Sequence, residues 1–104
     1  MKTVKDLNIS DYCYGISEHG VVYIYKVLEK ISYTPRFPDL YEVKLLDTKT
    51  NKKITFHNIP GDEIVIVGYS QVVFLTYDKV VERINIWISY FNDVKLEIEN
   101  LNKD

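Results

Sequence analysis

Three side chains of the kinds that bind soft metals or act as nucleophiles occur in this 104-residue chain: Cys13, His19 and His57. Their spacing matches no zinc pattern, because zinc ligands usually come in pairs a few residues apart. A Cys–His nucleophile pair can be distant in sequence, so spacing alone leaves that chemistry open. Because no other motif accompanies the three, we predict no metal site and no catalytic role, with Cys13 as a small core residue.

Asp62 and Glu63 form a second candidate, since paired carboxylates can exchange protons with a substrate. They follow Pro60 and Gly61, however, which indicates a solvated turn. The four glycines stand singly and form no phosphate-binding loop. We therefore expect no enzyme activity and no cofactor.

One predicted hairpin carries four lysines that could contact a nucleic acid, with Tyr41 nearby to stack on a base. The net charge of −2 and the pI near 5.7 argue against bulk attraction to nucleic acid, so a solvated turn is favoured. Nucleic-acid binding stays as the alternative function. The lysines are Lys44, Lys49, Lys52 and Lys53.

The segment SYTPRFPDLY at residues 32–41 predicts a stiff loop, because its two prolines cannot lie in a central strand. Stiff loops lose little entropy on binding, and Tyr and Arg are enriched at interface hot spots. The alternative is that Phe37 plugs the end of a barrel and Tyr33 lies on it. The expected protein-binding residues are Tyr33, Arg36, Phe37 and Tyr41.

Short apolar or alternating segments separated by turn signals fill the first three-quarters of the chain. This pattern predicts a small antiparallel barrel or a strongly curved sheet. The tight connection GYSQ at residues 68–71 is expected to join the last two strands. The predicted strands are residues 11–17, 21–32, 41–47, 52–58, 63–68 and 72–76.

Residues 83–101, RINIWISYFNDVKLEIENL, fit two periods. Alternation of Ile and Tyr favours a hairpin, whereas apolar residues at intervals of four and three favour one helix. Only the helix places Trp87 and Phe91 together on a buried seam, so we predict a helix from residue 77 to about 101, with Thr76 as its N-cap. The seam consists of Val80, Ile84, Trp87, Phe91, Val94, Ile98 and Leu101.

Such a helix is about 38 Å long, which exceeds a barrel of some 75 residues. Its first half, widened by Val81 and Ile88, is expected to cover the barrel. The second half, with Val94, Ile98 and Leu101, is expected to overhang and to mediate a homodimer. The alternative is a kink near Asn92 that folds the helix back.

The predicted fold class is therefore α+β, in one domain at residues 1–104. An SH3-like barrel or curved sheet (residues 1–76) precedes a long C-terminal helix (residues 77–104). The order DYCYGI, a long strand, a hairpin and VVFLT leading into a helix resembles small SH3-like barrel proteins of phages and prophages. YDKVV stands here where those proteins usually carry Glu and Ala. Absence of Ala and a preference for Lys over Arg indicate an AT-rich genome.

The resemblance implies an accessory or host-takeover factor, and some small phage proteins of this size are anti-defence inhibitors, including anti-CRISPR proteins. We expect a non-enzymatic protein that binds a host or phage protein. A single cysteine, no secretory h-region and no apolar run long enough for a membrane span favour the bacterial cytoplasm.

Overall fold

The structure, a computed structural model, describes residues 1–68 and 70–103, so Tyr69 in the predicted connection at residues 68–71 lies outside the described residues. Six strands and one long helix follow a short 3-10 helix at Val4–Asp6. Their bounds are β1 Tyr12–Ser17, β2 Val22–Tyr33, β3 Phe37–Asp47, β4 Lys53–Pro60, β5 Val65–Val67, β6 Gln71–Phe74 and α1 Tyr77–Leu101.

All six strands belong to one antiparallel sheet with the order β4-β3-β2-β1-β6-β5. The sheet curls into a nearly closed barrel, with β4 and β5 as its two edges. The predicted α+β class is confirmed. Register shifts in the β2–β3 and β3–β4 ladders allow the long middle strands to bend around the barrel.

The predicted loop at residues 32–41 is much shorter than expected, because Phe37 pairs with Tyr33 and β3 already includes Pro38. Only a turn of three residues remains, and its Thr34–Pro35 peptide bond is cis. Pro38 is tolerated in a strand because the β2–β3 register shifts beside it, after Ser32, where no regular ladder needs its missing N–H.

Alternate residues of the strands point into the barrel and form its core, where Tyr25 is the largest fully buried side chain. Val4 and Leu7 of the N-terminal segment are also fully buried, although no pattern in the sequence predicts it. The N–H of Val4 donates to the carbonyl of Glu63 over 2.9 Å, which holds this segment on the barrel. The other core residues are Cys13, Val27, Val43, Leu45, Ile66, Val73 and Leu75.

The C-terminal region is one continuous helix, so the hairpin and the kinked helix are excluded. Thr76 precedes α1 with an extended backbone, as an N-cap does, although its side chain makes no capping hydrogen bond. The helix packs on β1 and β6, with Val80 buried at that contact. None of the described helices is long and apolar enough to cross a membrane.

Contact between α1 and the barrel ends one turn earlier than predicted. Trp87 is half-buried and lies over the β1–β2 turn, so that a Cβ added to Gly20 would stand 3.1 Å from its Cζ3 atom. Ile88 is 53% exposed and Phe91 is 62% exposed, so the expectation that they pack on the barrel is wrong. The reason is that the barrel wall ends at this turn, while the helix continues.

Candidate interaction surfaces

Cys13 lies inside the barrel, and burial raises the pKa of its thiol to about 12. A thiol with that pKa stays protonated at neutral pH, and the protonated form is a poor nucleophile and metal ligand. Cys13 is therefore a core residue, as predicted from the sequence.

The two histidines lie outside the barrel and apart from Cys13. His57 Nδ1 is 3.0 Å from Glu42 Oε1 on the outer face of β3 and β4, and His19 is an exposed residue of the β1–β2 turn. Residues 1–68 and 70–103 bring no three His, Cys, Asp or Glu side chains together in a way that could hold a metal ion. Asp62 and Glu63 are exposed turn residues.

The β2–β3 hairpin extends beyond the rest of the sheet, because β4 pairs with β3 only as far as Leu40. We call residues 33–37 the hairpin tip. Arg36 is exposed, Phe37 is 54% exposed and Tyr33 is half-buried, so three of the four predicted binding residues lie together. The exposure of Phe37 shows that it does not plug the barrel.

Tyr41, the fourth predicted binding residue, packs elsewhere. A Cβ added to Gly61 would stand 2.7 Å from its ring, and the Lys30 ammonium lies 5.4 Å from the ring centroid. Tyr41 points towards the barrel core, as Val43 and Leu45 do, because side chains alternate along a strand. It therefore supports the sheet rather than the hairpin tip.

The predicted lysine cluster divides into two parts. Lys44 lies along β3 with its Nζ atom 3.3 Å from Glu29 Oε2. We call the other three the lysine turn; Lys49 and Lys52 lie in the β3–β4 turn and Lys53 is the first residue of β4. All three are exposed and make no ion pair with a described residue. Tyr41 lies six residues before Asp47, the end of β3, and is therefore about 20 Å from the turn. It cannot share a site with these lysines. The lysine turn comprises Lys49, Lys52 and Lys53.

Asp47 holds the lysine turn in shape. Its side chain is buried, and Oδ1 accepts the N–H groups of Lys49 at 2.9 Å and Thr50 at 3.4 Å. Asn51 takes a positive φ of 59°, which Asn tolerates better than most residues. The lysines therefore project from a defined turn.

The part of α1 beyond Trp87, residues 88–101, is the helix overhang. It carries an apolar stripe on the same side of the helix as Val80, Ile84 and Trp87, which face the barrel. The exposed fractions of its apolar side chains are large for a protein in water. They are 53% for Ile88, 62% for Tyr90 and Phe91, 58% for Leu96, 53% for Ile98 and 77% for Leu101.

The overhang and the lysine turn lie at the same end of the barrel. The N–H of Glu18 in the β1–β2 turn donates to the carbonyl of Ser70 over 3.1 Å, and that of Thr48 donates to Ile24 over 3.0 Å. The first bond joins the β1–β2 turn to the β5–β6 connection, and the second holds the β3–β4 turn beside the start of β2, so the three connections lie at one end of the barrel. Because β2 runs away from it, the hairpin tip lies at the opposite end of a molecule of 68 × 27 × 22 Å.

A cleft of about 710 Å³ also separates the two edge strands of the barrel. Ile54, Phe56 and Ile59 of β4 form one wall, and Val67 and Gly68 form the other. The Phe56 ring closes part of the gap, since a Cβ added to Gly68 would stand 3.2 Å from it.

Comparison of the chain with models of known protein families, with curated proteins and with solved structures finds no match.

Proposed function

We propose that this chain is a non-enzymatic protein-interaction module. The observation that carries the proposal is the helix overhang, whose apolar stripe leaves Phe91, Ile98 and Leu101 more than half exposed. An exposed apolar stripe of this kind marks a surface that another protein covers. The buried thiol of Cys13 and the Glu42-paired His57 offer no competing chemistry.

The two ends of the molecule have different roles in this proposal. The overhang forms a homodimer through Val94, Ile98 and Leu101, because its stripe repeats at heptad spacing. The hairpin tip, with Arg36 and Phe37 exposed beside each other, binds the target protein.

The target that we propose is a host protein in the bacterial cytoplasm. The layout of a small barrel followed at once by a helix supports an accessory protein of a phage or mobile element, and the AT-rich residue preference agrees with such a source. Within that class, inhibition of a defence protein such as a CRISPR effector is the activity that we propose.

The target-binding role is tested by affinity capture from a low-GC bacterial lysate with three forms of the tagged protein. The wild type should retain a protein that the Arg36→Ala/Phe37→Ala variant loses. Tyr12→Ala is the matched control, because Tyr12 is 52% exposed but lies on β1, and this variant should retain the same protein. Recovery of chaperones alone, or of the same proteins by all three forms, would contradict the proposal.

The homodimer is tested by light scattering after size exclusion. The wild type should have twice the chain mass of 12.3 kDa, and Ile98→Lys/Leu101→Lys should be a folded monomer, because charge on the stripe cannot be covered. Leu96→Lys is the control, since Leu96 is about as exposed as Ile98 but lies opposite the stripe. A wild type that is monomeric at high micromolar concentration would exclude the homodimer.

Nucleic-acid binding remains the second candidate, because the lysine turn places three exposed ammonium groups on one rigid turn. It predicts binding that weakens steeply with salt and that Lys49→Glu/Lys52→Glu abolishes. Lys44→Ala is the control, since Lys44 is already paired with Glu29. No shift of DNA or RNA in a gel at low salt would eliminate this candidate.

A further inference from the structure

We infer that two copies of the chain pair their helix overhangs antiparallel, and that the acidic end of each overhang meets the lysine turn of the other copy. This inference rests on the homodimer proposed above and specifies its geometry. It assigns a role to three lysines that the apolar stripe alone leaves unexplained.

The exposed stripe is large enough for a second copy. Phe91, Ile98 and Leu101 are 62%, 53% and 77% exposed, and Ile88 is 53% exposed. Together they offer on the order of 400 Å² of apolar surface per copy, since large side chains present roughly 200 Å² each. A symmetric pair with its polar flanks then buries roughly 1,200 Å², the lower end of stable interfaces.

The position of the barrel selects the antiparallel arrangement. Packed helices lie 8–10 Å apart, whereas the molecule is at least 22 Å wide. Parallel overhangs would bring both barrels to the same end of the pair and onto the same seam, where they would collide. In the antiparallel arrangement the barrels stand at opposite ends.

The spacing of the stripe fits such a pair. A register that places Phe91 opposite Leu101 of the second copy also places Val94 opposite Ile98. The same two contacts recur in reverse, as a two-fold axis requires. The Phe91–Leu101 layer then joins a larger and a smaller apolar side chain, and the Val94–Ile98 layer joins two aliphatic side chains of similar size. Neither layer contains a charged residue.

Charge complementarity identifies what flanks this apolar contact. Residues 88–101 contain three carboxylates and one ammonium group, so the overhang has a net charge of −2. The lysine turn carries three positive charges at the end of the barrel from which the overhang emerges. The carboxylates are Asp93, Glu97 and Glu99, and the ammonium group is Lys95.

Antiparallel pairing brings these opposite charges together. The stripe continues the face that packs on the barrel, so the second helix lies under the overhang, in front of the face formed by the turns. Its C-terminal end points at that face and brings Glu97 and Glu99, which lie on opposite flanks of the helix, towards Lys49 and Lys52. A two-fold axis creates this contact twice. Glu99 also lies 3.9 Å from Lys95 of its own helix.

A charge exchange tests the contact. One variant is Lys49→Glu/Lys52→Glu and the other is Glu97→Lys/Glu99→Lys, and each places like charges at both contacts of its own homodimer. We expect each homodimer to dissociate at least about tenfold more readily than the wild type in sedimentation equilibrium at low salt. An equimolar mixture should form heterodimers with near wild-type affinity, because both contacts are again opposite in charge.

Circular dichroism checks that each variant is folded. Two further variants, Lys44→Glu and Asp78→Lys, provide a matched charge exchange away from the contact. Two unaffected homodimers, or a mixture with no preference for heterodimers, would overturn the charge contact while the homodimer stands. A monomeric wild type would overturn both. A dimer that survives Ile98→Lys/Leu101→Lys would show that another surface is used.

Discussion

Gly15 and Tyr25 show at the scale of single residues how tightly the barrel is filled. The Tyr25 hydroxyl donates to Gln71 Oε1 over 3.0 Å, and a Cβ added to Gly15 would stand 2.9 Å from the Tyr25 ring. Gly15 is thus required by the approach of a large aromatic side chain. Cys13 lies on the same inner face of β1, which explains why its thiol is sealed from water.

Burial of Cys13 predicts a pH-dependent contribution to stability. The pKa of the thiol is raised to about 12 in the folded chain, whereas the unfolded chain has its ordinary value near 9.0. Unfolding therefore releases this proton above pH 9. The contribution of the thiol to the free energy of unfolding is fully present below that pH and falls as pH rises towards 12. The loss amounts to about 1.4 kcal/mol per pH unit from this group.

Denaturant unfolding of wild type and Cys13→Ala between pH 8 and 11 measures this loss. The difference between the two free energies of unfolding should change with pH, because the two proteins differ only at residue 13. A thiol reagent at pH 8 should label Cys13 only after unfolding. Rapid labelling of the native protein would show that the thiol is not sealed.

At the scale of elements, α1 consists of two segments with different environments. The first packs on β1 and β6 and ends with Trp87 over Gly20. The second has no barrel beneath it, and there Tyr90 and Phe91 contact each other at a centroid distance of 5.5 Å. One helix thus joins a core-forming surface to an interaction surface.

Two aromatic truncations distinguish these segments. Trp87→Ala should destabilise the monomer by roughly 2 kcal/mol, about half the cost at a fully buried site, because Trp87 is half-buried. Phe91→Ala should change monomer stability by less than about 0.5 kcal/mol but weaken the dimer. Monomer stability is measured by urea unfolding with each change made in the Ile98→Lys/Leu101→Lys background. The effect of Phe91→Ala on the dimer is measured by sedimentation equilibrium in the otherwise wild-type chain. Equal losses would mean that the overhang packs on the barrel.

At the scale of the whole molecule, the helix overhang and the hairpin tip lie at opposite ends of a chain 68 Å long. A dimer formed through the overhangs therefore holds two hairpin tips far apart and facing outwards. Such a dimer can engage two copies of a target, which raises avidity where the targets are themselves paired or clustered.

Small-angle scattering tests this shape. The Ile98→Lys/Leu101→Lys monomer should have a maximum dimension near 68 Å and a radius of gyration near 17.2 Å, because the helix projects. The wild-type dimer should be well over that length. A monomer that is clearly more compact would show that α1 folds back on the barrel.

Local periodicity was sufficient to predict most of the strands and the long helix. Alternation located β2 and β4, and the intervals of four and three located α1 at residues 77–101, because each pattern follows from the geometry of one element. The two prolines at residues 35 and 38 predicted too long a loop, because Pro38 lies in β3 beside a register shift that the sequence does not reveal. The buried Val4 and Leu7 were missed because three residues are too few for a period.

Sequence by itself determined the α+β class, the six strands, the single long helix and the aromatic and basic character of two turns. Only the tertiary structure decided which of these residues lie close together and which of them are exposed. It separated Tyr41 from the lysine turn, exposed Phe91 and placed the overhang and the lysines at the same end of the barrel. The physical reason is that periodicity defines the face on which a residue lies, whereas the curvature and length of the barrel determine whether anything covers that face.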